Sequence, residues 1–153
     1  MLLHSNTPFM PQTKLTIAEA PYGFATTDDQ GIVTRMDIRP ELGGNNSGSS
    51  PMMLLLNALA GCASIDVLMI LNKMKIPVQD YTVTVDGERE KDKDKEPALW
   101  QTIHMRFAMK GDPAMEPSVK RAIDLSLDKY CSVAFTLRAG GAKITYDLHI
   151  SAD

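Results

Sequence analysis

Two cysteines, Cys62 and Cys131, are the residues of this chain best equipped for chemistry, and they stand 69 positions apart. A thiol reacts as its thiolate, so a working cysteine needs something nearby that stabilises negative charge. A dry pocket raises its pKa unless a cation is close. A pair of thiols can run a redox cycle. One attacks the O–O bond of a peroxide and becomes a sulfenic acid, and the second condenses with it. The same two residues serve equally well as small apolar side chains in a core, where free cysteine is often found. Spacing alone leaves both readings open. His4, His104 and His149 are scattered, and neither CxxC nor HExxH occurs, so no metal is expected. No phosphate-cradle spacing occurs either, and Gly43-Gly44 and Gly140-Gly141 read as loop glycines.

The 153 residues are most simply one domain, 1–153, with a frayed leader over 1–13 that holds Pro8 and Pro11. Hydrophobic residues make up 44% and charged residues 23%, which suits a globular core. The net charge of −3 and pI near 5.6 argue against nucleic acid or an anionic membrane as partner, since both need a basic face. Met1-Leu2-Leu3-His4 lacks the positive region of a secretory signal. Two cysteines are too few for a secreted disulfide scaffold. A cytoplasmic location is expected.

Around the first cysteine the chain is apolar almost without break, from Pro51 to Leu71. Ser50 suits an N-cap and Pro51 the first helical position, so a helix is predicted from there to about Lys73–Lys75, stopped before Pro77. A membrane span is the rival reading. Asn57 and Asp66 inside the stretch argue against it, since charge near a bilayer centre is costly. A soluble helix apolar all round must be buried on all sides. One chain of this size covers such a helix with difficulty, so a second copy is expected to help.

Alternation predicts strands over Lys14–Ala20, Tyr22–Thr26 and Gly31–Ile38, an antiparallel meander, followed by a loop over 40–50. After Pro77, Tyr81, Val83 and Val85 alternate with polar residues in a strand over Asp80–Arg89. A charged loop spans 90–96. Trp100–Lys110 pairs with the preceding strand as a hairpin, with Ile103, Met105, Phe107 and Met109 on one face. A turn at Pro113–Pro117 leads to an amphipathic helix over Ser118–Lys129, and two last strands are predicted at Val133–Leu137 and Ala142–Ile150. The order β-β-β-α-β-β-α-β-β is that of an α+β protein with a long central helix.

Several segments together resemble the OsmC/Ohr family of osmotically inducible and organic-hydroperoxide-resistance proteins. They are Leu54-Leu-Leu-Asn-Ala-Leu-Ala-Gly-Cys62 after Ser50-Pro51, Ser64-Ile-Asp-Val-Leu-Met-Ile-Leu-Asn-Lys73, Asp86-Gly-Glu-Arg89, Arg121-Ala-Ile-Asp-Leu-Ser126 and Lys129-Tyr-Cys-Ser-Val133. The resemblance spans roughly residues 15–150. It implies an intertwined homodimer, with antiparallel sheets wrapped around long central helices and active sites at the subunit interface. It implies thiol-dependent reduction of organic hydroperoxides, with Cys62 as peroxidatic and Cys131 as resolving cysteine, no cofactor, and an external dithiol as reductant. The family's glutamate after the helix-starting proline is absent, because Met52 and Met53 follow Pro51. For the arginine that activates the thiolate, Arg39 is the nearest candidate and Arg35 the second, and Glu41 is the nearest substitute carboxylate. The alternative is an OsmC-like protein that binds an apolar ligand with its thiols inert. Proximity of the two sulfurs discriminates, since a disulfide needs Cα atoms within about 7 Å.

Three further residue sets have simpler readings. Arg89 beside Glu88 is read as part of a surface ion pair rather than as a site cation. Asp66, one turn after Cys62, is read as a structural hydrogen-bonding group rather than a base. The methionines are read as pliable packing.

Overall fold

The structure, a computed structural model, describes residues 10–90 and 97–152. The predicted leader lies outside the described residues up to 9, and the charged loop lies outside them over 91–96. The chain forms two compact units, one ending at Leu54 and the other beginning at Leu55.

The N-terminal unit is the predicted meander: β1 (Thr13–Glu19), β2 (Gly23–Asp28) and β3 (Val33–Met36), paired antiparallel in that order. Thr13, assigned to the leader by sequence, opens the first strand. The loop that follows is held by one buried carboxylate. Asp37 accepts hydrogen bonds from the N–H groups of Ile38 (2.7 Å), Asn45 (2.9 Å) and Ser47 (3.0 Å) and from Ser47 Oγ (2.9 Å). Gly44 is required there, because a Cβ would lie 1.9 Å from the Ile38 carbonyl oxygen.

Ser50 Oγ caps the N–H of Met53, and α1 (Pro51–Lys73) runs as predicted. It ends in a Schellman turn, where Lys75 takes φ 57° and the amides of Lys75 and Ile76 bond back to Asn72 and Leu71. By length and composition α1 could cross a membrane. Its residues Leu56, Leu59, Ala63, Val67 and Leu71 are buried within the chain, whereas Leu55, Ile65, Leu68 and Met69 are exposed.

In the C-terminal unit β4 (Gln79–Arg89) and β5 (Trp100–Lys110) form the predicted antiparallel hairpin. The predicted face of β5 is the buried one: Ile103, Met105, Phe107 and Met109 are all core. Tyr81 and Tyr146 pack their rings against Phe107 at 6.4 and 5.9 Å between centroids. Arg89 behaves structurally, with Nε donating to the Ala98 carbonyl and its guanidinium 5.9 Å from the Trp100 ring.

Beyond β5 the prediction needs two corrections. The segment read as a strand over Val133–Leu137 is helical, α3 (Ser132–Ala139). Its alternation of Val133, Phe135 and Leu137 mimics a half-buried strand, but the side chains that enter the core are Ala134 and Leu137, three apart. The amphipathic helix is α2 (Glu116–Leu125), and it passes into a π-helical turn at Ser126–Tyr130 rather than ending at a loop. Because α2, this turn and α3 carry the chain back, β6 (Lys143–Ser151) lies parallel to β5 beside the antiparallel β4–β5 pair. The α+β class stands, and the sheet of this unit is mixed.

Gly87 sits where β4 passes Trp100. A Cβ there would stand 2.6 Å from the indole ring and 3.2 Å from Leu56. Gly87→Ala should cost about 1–3 kcal/mol of stability through overpacking, measured by urea unfolding followed by fluorescence of Trp100, the chain's single tryptophan.

The hydrogen bonds to Asp37 hold its carboxyl below the usual range, the Ser47 N–H most of all, against the opposing effect of burial. A depressed carboxyl pKa contributes stability above the ordinary value and loses it as pH falls. Asp37→Asn should lower the thermal midpoint at neutral pH and flatten its decline on acidification, read by thermal melts across the acid range.

Candidate functional site

Cys62 lies in the middle of α1, half-buried, one residue before the fully buried Ala63. Four residues on, Asp66 shares its face of the helix. Cys131 arrives from the other side of the sequence. The π-helical turn closes with a hydrogen bond from the Cys131 N–H to the Ser126 carbonyl (2.8 Å), and Arg138 Nη1 donates to the Leu127 carbonyl within the same turn (2.5 Å). The chain then leaves the helical conformation at Cys131 (ψ 94°) and starts α3. Cys131 is thus the N-cap of α3, and its Sγ accepts from the Ala134 N–H at 3.4 Å.

The turn is fastened to α1 by Ser126. Its hydroxyl is fully buried, 3.2 Å from the Ala63 carbonyl and 3.3 Å from Asp66 Oδ2. The outcome is that the sulfurs of Cys62 and Cys131 and a carboxylate oxygen of Asp66 all lie within 4.8 Å of one another. Both cysteines are free thiols. Two soft sulfur donors and one carboxylate are also a donor set able to hold a metal ion, although the sequence pattern led to none being expected.

The two thiols are unequal. Cys131 is fully buried and Cys62 half-exposed. Burial, then a hydrogen bond with Cys62, pushes the Cys131 thiol up from 9.0 to about 11, while the Ala134 and Val133 amides at the start of α3 pull the other way. Amides at a helix N-terminus favour a thiolate. Here desolvation outweighs them, so Cys131 is held as a thiol.

The structure thus brings Cys62 and Cys131 together within the C-terminal unit. The candidate cation is elsewhere in the sequence: Arg39 precedes a 3-10 turn, Pro40–Leu42, in the N-terminal unit, as do Arg35 on β3 and Glu41 within the turn. Asp66 makes the structural hydrogen bond expected of it, and it also stands beside both thiols. Ser126 was missed. Its single signal is a small polar residue between Leu125 and Leu127 on the apolar side of a helix.

The folded chain holds the Cys131 proton more tightly than the unfolded chain, so the associated stability is present below pH 9 and is lost as pH rises towards about 11. Alkylation of Cys131 in the reduced protein should reach half-maximal rate near pH 11. In Cys62→Ala that inflection should move down, yet stay above its ordinary value because burial remains the largest influence. Peptide mapping by mass spectrometry after timed alkylation distinguishes the two cysteines.

Residues 44–147, more than half of the chain, match the family described as OsmC-like protein. Protein YhfA of Escherichia coli (strain K12) is 38% identical over 110 residues, covering 70% of this chain and 79% of that one. In fold the chain is similar to an OsmC-like protein from Mycoplasma pneumoniae, with a TM-score of 0.77 at 19% identity over 94% of this chain and 99% of that one. It is also similar to an organic hydroperoxide resistance protein OsmC from Legionella pneumophila, with a TM-score of 0.69 at 14% identity over 93% and 98% of the two chains. Family membership supports a redox or peroxide-related role. With the segments around both cysteines and the fold in agreement, the chain belongs to the OsmC/Ohr family.

Proposed function

We propose that this protein is a cysteine-based peroxidase that reduces organic hydroperoxides. The observation that carries the reading is the meeting of a half-exposed Cys62 with a buried Cys131, sulfur to sulfur within 4.8 Å. The Cys62 thiolate attacks the terminal oxygen of the hydroperoxide, the O–O bond breaks, and the alkoxide takes a proton and leaves as alcohol. Cys62 is then a sulfenic acid. The Cys131 sulfur displaces its hydroxyl as water, losing its own proton, and a Cys62–Cys131 disulfide forms. An external dithiol returns both thiols by exchange.

Burial of Cys131 suits the resolving role. A thiol that keeps its proton does not compete for the peroxide, and it is shielded from over-oxidation until Cys62 has reacted. Arg39 is the cation assigned to support the Cys62 thiolate in this reading. The exposed row Leu55, Ile65, Leu68 and Met69 on α1 supports a homodimer in which a second copy covers that face. The apolar side chains on this helix favour an alkyl hydroperoxide over hydrogen peroxide. The setting assigned is the cytoplasm, where a dithiol reductant is at hand.

Titration of the reduced chain with one equivalent of an alkyl hydroperoxide should consume both thiols and lower the intact mass by two hydrogens. Cys62→Ser should abolish turnover, and Cys131→Ser should leave Cys62 trapped as a sulfenic or sulfinic acid. Arg39→Ala should slow Cys62 oxidation about tenfold or more. Two thiols that persist through the exposure would instead place the protein among apolar-ligand binders with inert cysteines.

A further inference from the structure

We propose that reduced Cys62, Asp66 and Cys131 form a three-donor site for a thiophilic divalent cation of the zinc class, with a fourth coordination position open towards solvent. This inference goes beyond the peroxidase reading and does not require it, because it concerns the reduced chain at rest.

Geometry is the first support. The three donor atoms lie within 4.8 Å of one another. A tetrahedral zinc ion with sulfur ligands at about 2.3 Å and oxygen at about 2.0–2.2 Å sets its ligand atoms roughly 3.5–3.8 Å apart. Two donors come from α1 at positions i and i+4, and the third from the N-cap of α3. Three protein donors plus an open position is the pattern of exchangeable sites rather than of closed four-ligand structural ones.

Chemistry is the second support. Two thiolates with one carboxylate select a borderline-soft ion over calcium or magnesium. Among the described residues Asp66 has no lysine or arginine ion-pair partner. Its oriented neighbour is the buried Ser126 hydroxyl, 3.3 Å from Oδ2. That hydroxyl's one proton is shared between Asp66 Oδ2 and the Ala63 carbonyl, and its donation to Oδ2 orients the carboxylate in the way outer hydrogen bonds orient metal ligands.

Binding would exchange two thiol protons for one divalent ion. A metal ion draws charge from the sulfurs it holds and so slows their attack on a peroxide. Conversely, oxidation to the Cys62–Cys131 disulfide removes two of the three donors and releases the ion. Metal and disulfide would be alternative states of one sulfur pair.

The test uses the untagged full chain, reduced and freed of metal by chelator. Cobalt(II) should give thiolate-to-metal charge transfer and the visible bands of a tetrahedral site, saturating at one ion per chain, and zinc should displace it. Asp66→Asn should weaken zinc at least about tenfold in competition with a chromophoric chelator, and Cys131→Ser should remove most of the charge-transfer intensity. Circular dichroism checks that each variant is folded. Chain oxidised to the disulfide by diamide should bind none. A reduced wild-type chain that leaves cobalt octahedral would overturn the proposal, as would folded variants that bind like wild type. Neither result touches the peroxide titration, so the two readings stand or fall separately.

Discussion

Everything distinctive in the C-terminal unit turns on one buried hydroxyl. Ser126 joins the middle of α1 to the π-helical turn through the Ala63 carbonyl and Asp66. The turn in turn sets where Cys131 emerges. A buried polar group is costly unless paired, so this hydroxyl must find an acceptor on α1, and the pairing aligns two segments more than sixty residues apart along the chain. The wider π turn matters as well. Its last hydrogen bond puts the Cys131 amide on the Ser126 carbonyl, and π turns recur at functional sites.

The helix that carries Cys62 performs two tasks with two faces. One face, Leu56 through Leu71 at steps of three and four, packs within the chain. The other remains apolar and exposed. Cys62 lies between them, half-buried, so that its sulfur meets Cys131 on one side and can be approached from the other. That difference in access, together with the desolvation that keeps Cys131 protonated, separates two chemically identical side chains into different roles. It is the physical basis for the peroxidase reading and for a metal competing at the same sulfurs.

The β4–β5–β6 sheet supplies the wall behind this helix. Tyr81 donates a hydrogen bond to Ser64 on α1 (3.1 Å), and Leu56 packs over Gly87. The glycine is needed because Trp100 occupies the space above it. Asp66 places an acidic group beside both thiols within the C-terminal unit.

Local pattern in the sequence was enough to place α1 between Ser50 and Lys73, to choose the core face of β5 and to single out Cys62 and Cys131. These follow from capping, period and residue type, which act over a few neighbouring residues. Family motifs added the fold. Tertiary structure alone decided that 132–139 is a helix, that β6 runs parallel to β5, and that Ser126 and Asp66 stand beside the thiols. Val133-Ala-Phe-Thr-Leu137 alternates well enough to be either element. What settles it is the burial of Ala134 and Leu137, which comes from packing contacts with residues far apart in the chain. No local period encodes them, because they exist only once α1 and the sheet have packed.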